Sequence, residues 1–146
     1  MDMNESGARS FHYHEIAVGM RAALDYEISP EIRRHFLEGF QDFSPVHVDE
    51  DFAKSRGFTG PITHGAILNG FISHFVGMHF PGQFSLLLSV DLRFSQPCYL
   101  GDSIRVEMLV TQKMEAGCII VLDATLSNVT RDCLAARGRI QVMLKE

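Results

Sequence analysis

The chain is 146 residues long, 46% hydrophobic and 21% charged, a composition that suits one domain with a single sizeable core. Its formal charge of −5 argues against nucleic-acid binding, which usually needs a basic face. Three cysteines without CxxC spacing, Cys98, Cys118 and Cys133, fit a reducing, cytoplasmic setting better than a disulfide framework.

Met1 to Arg9 are polar and lack the apolar centre of a signal peptide. We read residues 1–10 as a flexible N-terminus and 11–146 as one domain. Met20 to Ile28 alternates weakly, as a first strand would. Ser29-Pro30 supplies an N-cap and a first helical residue, Gly39 a stop, and Ile32, Phe36, Leu37 and Phe40 fall at helical spacing. Asp42 to Val48 reads as a loop in which Pro45 blocks helix continuation. Asp49 can cap a short helix through Arg56, ended by Gly57.

Ile62 to Met78 is the most apolar helix candidate. Ile67, Leu68, Phe71, Ile72, Phe75 and Val76 occupy most of its circumference, which predicts burial on most sides. Gly65, Ala66, Gly70 and Gly77 would let other backbones approach. Glycine costs about 1 kcal/mol inside a helix, so Gly70 is expected to have a packing reason. The apolar run Ala66 to Phe80 contains Asn69, Ser73, His74 and His79, too short and too polar to span a bilayer.

After Pro81-Gly82, residues Phe84 to Phe94, Ser103 to Gln112, Cys118 to Val129 and Cys133 to Leu144 read as strands. The separators Gly101-Asp102, Ala116-Gly117 and Thr130-Arg131-Asp132 are turn-like, which predicts an antiparallel meander. One buried helix and a meander imply an α+β fold with the sheet wrapped around the helix.

Asp42 and His47 stand five positions apart in a proline-bent segment. An imidazole titrating near neutrality and a carboxylate can orient one water and pass its proton. The competing reading is a turn-closing Asp and a surface His. His64-Gly65 opens the long helix, whose first N–H groups lack partners and carry the positive end of the dipole. The Gly65 N–H could bind a thioester oxygen, an interaction worth roughly 3 kcal/mol of barrier. Alternatively, His64 is a hydrogen-bonded core residue at a helix entry. Ser73 shares a helix face with Gly65 and Asn69 and could hold the Asp42 carboxylate or the water, unless it bonds the preceding turn.

The pattern Asp42, Ser44, Pro45, His47, Asp49 followed by Pro61-Ile62-Thr63-His64-Gly65 resembles that of MaoC-like hot-dog proteins, specifically the short (R)-specific enoyl-CoA hydratases. The Pro81-Gly82 loop and Leu92-Arg93-Phe94-Ser95-Gln96-Pro97 with Gly101-Asp102 match in order and spacing, from about Gly19 to the C-terminus. The resemblance implies an antiparallel sheet around a long central helix, preceded by a short helical overhang. It implies Asp42 and His47 as catalytic dyad, Gly65 as oxyanion-binding amide and Ser73 beside the dyad, with His64 and Ser44 as further candidate substrate-binding positions. Ser44 stands where the family usually carries Asn, and Gln41 where Gly is common.

The activity expected is reversible hydration of a trans-2-enoyl thioester on coenzyme A or acyl carrier protein, without metal or redox cofactor. A homodimer, or a higher oligomer of dimers, is implied by the same resemblance. A hot-dog thioesterase and a non-catalytic acyl-CoA-binding domain are the alternatives. Lys54 and Arg56 are read as a solvated helix face, His12 and His14 as part of a flexible segment, and Arg93 as structural, paired with a carboxylate or lining the substrate entrance.

Overall fold

The computed structural model describes residues 7–146. A 3₁₀ turn (Tyr13–Glu15) leads into strand β1 (Arg21–Glu27), helix α1 (Pro30–Phe40), and the short helices α2 (Pro45–Val48) and α3 (Glu50–Ser55). The central helix α4 (Gly65–His74) widens into a π turn (Phe75–His79) and is followed by β2 (Ser85–Phe94), β3 (Ser103–Met114), β4 (Ile119–Asn128) and β5 (Cys133–Leu144). The strands form one antiparallel sheet in the order β1-β3-β4-β5-β2. β3, β4 and β5 are the expected meander, whereas β2 pairs with β5 at the far edge instead of beside β3.

Each inner strand alternates. Ile104, Val106, Met108 and Val110 of β3 and Ile120, Leu122, Ala124 and Leu126 of β4 are buried, while Arg105, Glu107, Asp123 and Thr125 face solvent. The buried set closes on Ile67, Leu68, Phe71, Ile72, Phe75 and Val76. Register shifts at Leu87/Ser89, Val110/Gln112 and Leu126/Ser127 bend the sheet around the helix. This is the hot-dog arrangement, of class α+β. At Gly138 a Cβ would lie 1.8 Å from the Asp91 carbonyl oxygen, so only glycine permits β2 to cross β5 so closely.

Several boundaries differ from the sequence reading. α1 passes Gly39 and ends at Gln41, which takes the left-handed conformation (φ 56°) that usually selects glycine. Pro45 does not merely end a helix; it occupies the first turn of α2, where a missing N–H costs nothing. α4 starts at Gly65, three residues late, because Ile62 N–H donates to Val46 O (3.1 Å) and Thr63 N–H to Cys98 O (2.7 Å). Those partners hold Pro61–His64 extended.

α4 is buried on one side only: Ala66, Asn69, Gly70, Ser73 and His74 are exposed, and a Cβ at Gly70 would meet nothing within 4 Å. Among the described residues, none therefore supplies its expected packing partner. Of the segment read as flexible, Met1–Ser6 lie outside the described residues. Arg9 N–H donates to Met78 O, and Ser10 bridges Gly82. His12 and His14 are not loose either: their rings stack at 5.7 Å, and Glu146 contacts His12 Nδ1 at 3.1 Å.

Candidate active site

α1 ends at Phe40, and its left-handed C-cap Gln41 leads directly into Asp42, whose main-chain oxygen meets His64 at the start of α4. The Asp42 carboxylate accepts the Ser44 N–H at 3.3 Å, a local turn that feeds the chain into α2. Its side chain is half exposed (49%), so turn closure and an accessible carboxylate coexist.

α2 presents His47 two residues after Pro45. The ring Nδ1 lies 2.8 Å from the Ile62 carbonyl oxygen. A carbonyl only accepts, so Nδ1 carries the hydrogen and Nε2 the lone pair of the neutral ring. Arg33 of α1 donates from Nη2 to the His47 main-chain oxygen at 2.7 Å.

His64, the N-cap of α4, is 3% exposed and donates its Nε2–H to the Asp42 main-chain oxygen at 2.9 Å. The Asp42 carboxylate lies 3.8 Å from the same nitrogen. The His64 ring packs between His47 (centroids 3.8 Å, planes 32° apart) and Phe36 (4.5 Å). Its Nδ1 is buried without a hydrogen-bond partner.

One carboxylate oxygen of Asp42 and one ring nitrogen each of His47 and His64 lie within 4.8 Å of one another. Among the described residues, this is the only trio of such groups spaced to hold a metal ion. The two ring planes are tilted 32° apart, and the His64 Nε2–H is already engaged by the Asp42 main-chain oxygen. The arrangement suits a hydrogen-bonded cluster better than a coordination sphere. Two groups no more than 4.8 Å apart can each reach one water at about 2.8 Å.

A pocket of about 350 Å³ opens beside these groups, lined by His47, Phe58, His64, Gly65, Leu68 and Phe94, among others. Among the described residues, the Gly65 and Ala66 N–H groups find no protein acceptor; the Ile67 N–H is already turned to His64 O. The helix start therefore retains a free donor, the Gly65 N–H, at the pocket wall. A Cβ on Gly65 would approach the Phe94 ring to 3.1 Å, so glycine lets the aromatic wall close against the helix entry.

The structure brings Asp42, His47 and His64 together, and His47, His64 and Gly65, but not Asp42, line the pocket; the two serines stand apart. Ser44 is exposed outside the pocket and makes no side-chain cap bond. Ser73 is exposed on the open face of α4, eight residues beyond Gly65 and so about 12 Å along the axis. It makes no hydrogen bond to Asp42 within the chain.

Arg93 does not line this pocket. It stands on the outer sheet face opposite Arg137, beside a shallow charged hollow of about 400 Å³ that contains no imidazole or thiol. Lys54 pairs with Glu50 one turn away, and Arg56 lies over the Phe52 ring, as a solvated helix face would. Sequence reasoning did not assign Arg33, Phe36, Phe58 or Phe94 to the site: Phe36 carried only a helical-spacing signal and Phe94 only its place in the Leu92–Pro97 segment. Only the fold brings them to the site.

Comparison with known proteins agrees with this architecture. The MaoC like domain family matches residues 16–131. The (R)-specific enoyl-CoA hydratase of Aeromonas caviae is 33% identical over 100 residues, covering 68% of this chain and 75% of that one. The enzyme of the same name from Rhodospirillum rubrum is 35% identical over 101 residues, covering 68% and 70%. Among solved structures, the unliganded R-hydratase PhaJ1 of Pseudomonas aeruginosa superposes with a TM-score of 0.85 at 27% identity, covering 95% of this chain and 88% of that one. With the family match spanning most of its length on a shared hot-dog fold, the chain belongs to the MaoC-like family of hydratases and dehydratases.

Proposed function

We propose that this protein adds water reversibly to trans-2-enoyl thioesters, giving (R)-3-hydroxyacyl thioesters. The observation carrying this reading is the convergence of the Asp42 carboxylate and the His47 and His64 rings within 4.8 Å, beside a pocket walled by the free N–H of Gly65. In the forward direction a water held by Asp42 and His47 Nε2 attacks C3. Its oxygen ends on C3, and one hydrogen is delivered to C2 on the same side. The Gly65 N–H receives the negative charge that builds on the thioester oxygen, and a donor so placed is worth roughly 3 kcal/mol. The thioester itself acidifies C2, so the scheme calls on no metal or redox cofactor. The carrier is coenzyme A or acyl carrier protein.

The working unit in this reading is a homodimer. β2 is an edge strand with Leu86, Leu87 and Leu88 exposed, and α4 leaves its small-residue face open.

Incubation with crotonyl-CoA and with crotonyl acyl carrier protein tests the function. Hydration removes the enoyl absorbance and leaves the thioester intact, and the product carries the (R) configuration. Release of free thiol as the primary event would assign a thioesterase instead. Tight binding without turnover would assign an acyl-CoA-binding domain.

A further inference from the structure

We infer that Arg33 and His64 act as a clamp on the dyad, holding Asp42 and His47 by hydrogen bonds to their main-chain carbonyl groups. The two residues of the proposed dyad lie on a surface segment that has few buried anchors of its own: Asp42, Ser44 and Pro45 are exposed, and α2 is a single turn. Such a segment would not by itself fix a carboxylate and an imidazole to within a fraction of an ångström, as a water-activating pair requires.

The geometry supplies the missing restraint from two directions. Arg33, half-buried on α1, donates to the His47 carbonyl oxygen at 2.7 Å. His64, on the N-cap of α4, donates to the Asp42 carbonyl oxygen at 2.9 Å while its ring lies 3.8 Å from that of His47. His64 thus touches both members of the dyad at once: one through its N–H, the other through its ring face. Its remaining nitrogen is sealed from solvent, and its far face is closed by Phe36. His64 is therefore built into the scaffold. It is a positioning residue, not the substrate-binding one that its place beside Gly65 suggests.

This inference rests on the proposed hydration, and its test is arranged so that the two can fail separately. Wild-type turnover of crotonyl-CoA is measured first; an inactive wild type refutes the hydratase reading. The clamp is then read in four variants. His64→Phe keeps the ring and loses the donor. His64→Gln keeps a donor near the Nε2 position and loses the ring. Arg33→Met removes the second donor, and Arg33→Lys restores a single one. A displacement of about 1 Å at a reacting group can cost on the order of 100-fold.

The clamp predicts kcat lowered about tenfold or more in His64→Phe and Arg33→Met, with KM within about twofold and partial recovery in Gln and Lys respectively. Imidazole ¹⁵N spectra should show the Nδ1–H form of His47 in the wild type and a mixture of tautomers in Arg33→Met. Wild-type kcat in both His64→Phe and Arg33→Met would overturn the inference. A rise in KM at constant kcat would also overturn it, by placing these residues on the substrate. If His64→Phe does not fold, Arg33→Met and Arg33→Lys decide on the same criteria.

Discussion

Cys98 lines the pocket beside His47 yet is 5% exposed, and burial pushes its thiol from 9.0 up to about 11. It is thus a packing residue at working pH and not a nucleophile. A raised folded-state value favours the neutral thiol in the fold. The resulting stabilisation is complete below 9.0 and is lost as pH rises toward about 11. Denaturant melts should therefore show the wild type losing more stability than Cys98→Ala between those limits; parallel curves would contradict the assignment. At this scale the sequence exposed its polar motif but not its partners. Asp42, His47 and His64-Gly65 were legible because a proline bend and a helix start are written in neighbouring residues. Arg33 and Phe94 were not, because their relevance depends on which strand and helix pass nearby. Ser73 stands apart from the cluster within one chain, because helical spacing gives its face but not what covers that face.

Elements joined by backbone hydrogen bonds explain why the site holds its shape. The β2–β3 connection ends at Asp102, a carboxylate 2% exposed that accepts from Tyr99 N–H (2.8 Å), Asn128 Nδ2 (2.7 Å) and Arg131 Nε (2.8 Å). The same connection presents Cys98 O to Thr63 N–H, so the network sets the extended entry to α4. Arg131 is itself 40% exposed, so losing Asp102 strands the buried Asn128 Nδ2 and Tyr99 N–H donors and not a buried charge, at a cost of about 1–3 kcal/mol. Asp102→Ala should lower stability by about that amount in chemical denaturation; a change near zero would show the network to be dispensable. The Gly101-Asp102 turn was legible as a turn, but its buried network was not, since Asn128 and Arg131 approach only after β3 and β4 pair. The late start of α4 has the same origin: external partners for residues 62 and 63 outcompete the helix that their neighbours favour.

For the whole molecule, periodicity sufficed to give one apolar helix, a run of alternating strands and an α+β class. It did not give the sheet order, because β2 and β3 are consecutive in sequence yet lie on opposite sides of the β4–β5 pair. Nor does a single chain bury what the pattern asks it to bury: the leucines of β2 and the small-residue face of α4 remain open. Sedimentation at micromolar concentration should give a dimer, and Leu87→Lys should shift it toward monomer; a wild-type monomer would remove the proposed assembly. The proposed chemistry stands or falls on a carboxylate and an imidazole sharing one water. Its most direct test is kcat for hydration of a short trans-2-enoyl-CoA by wild type, Asp42→Asn and His47→Gln, each first shown to melt like the wild type. The account predicts a loss of about 100-fold or more in each variant; near-normal turnover in both would contradict it.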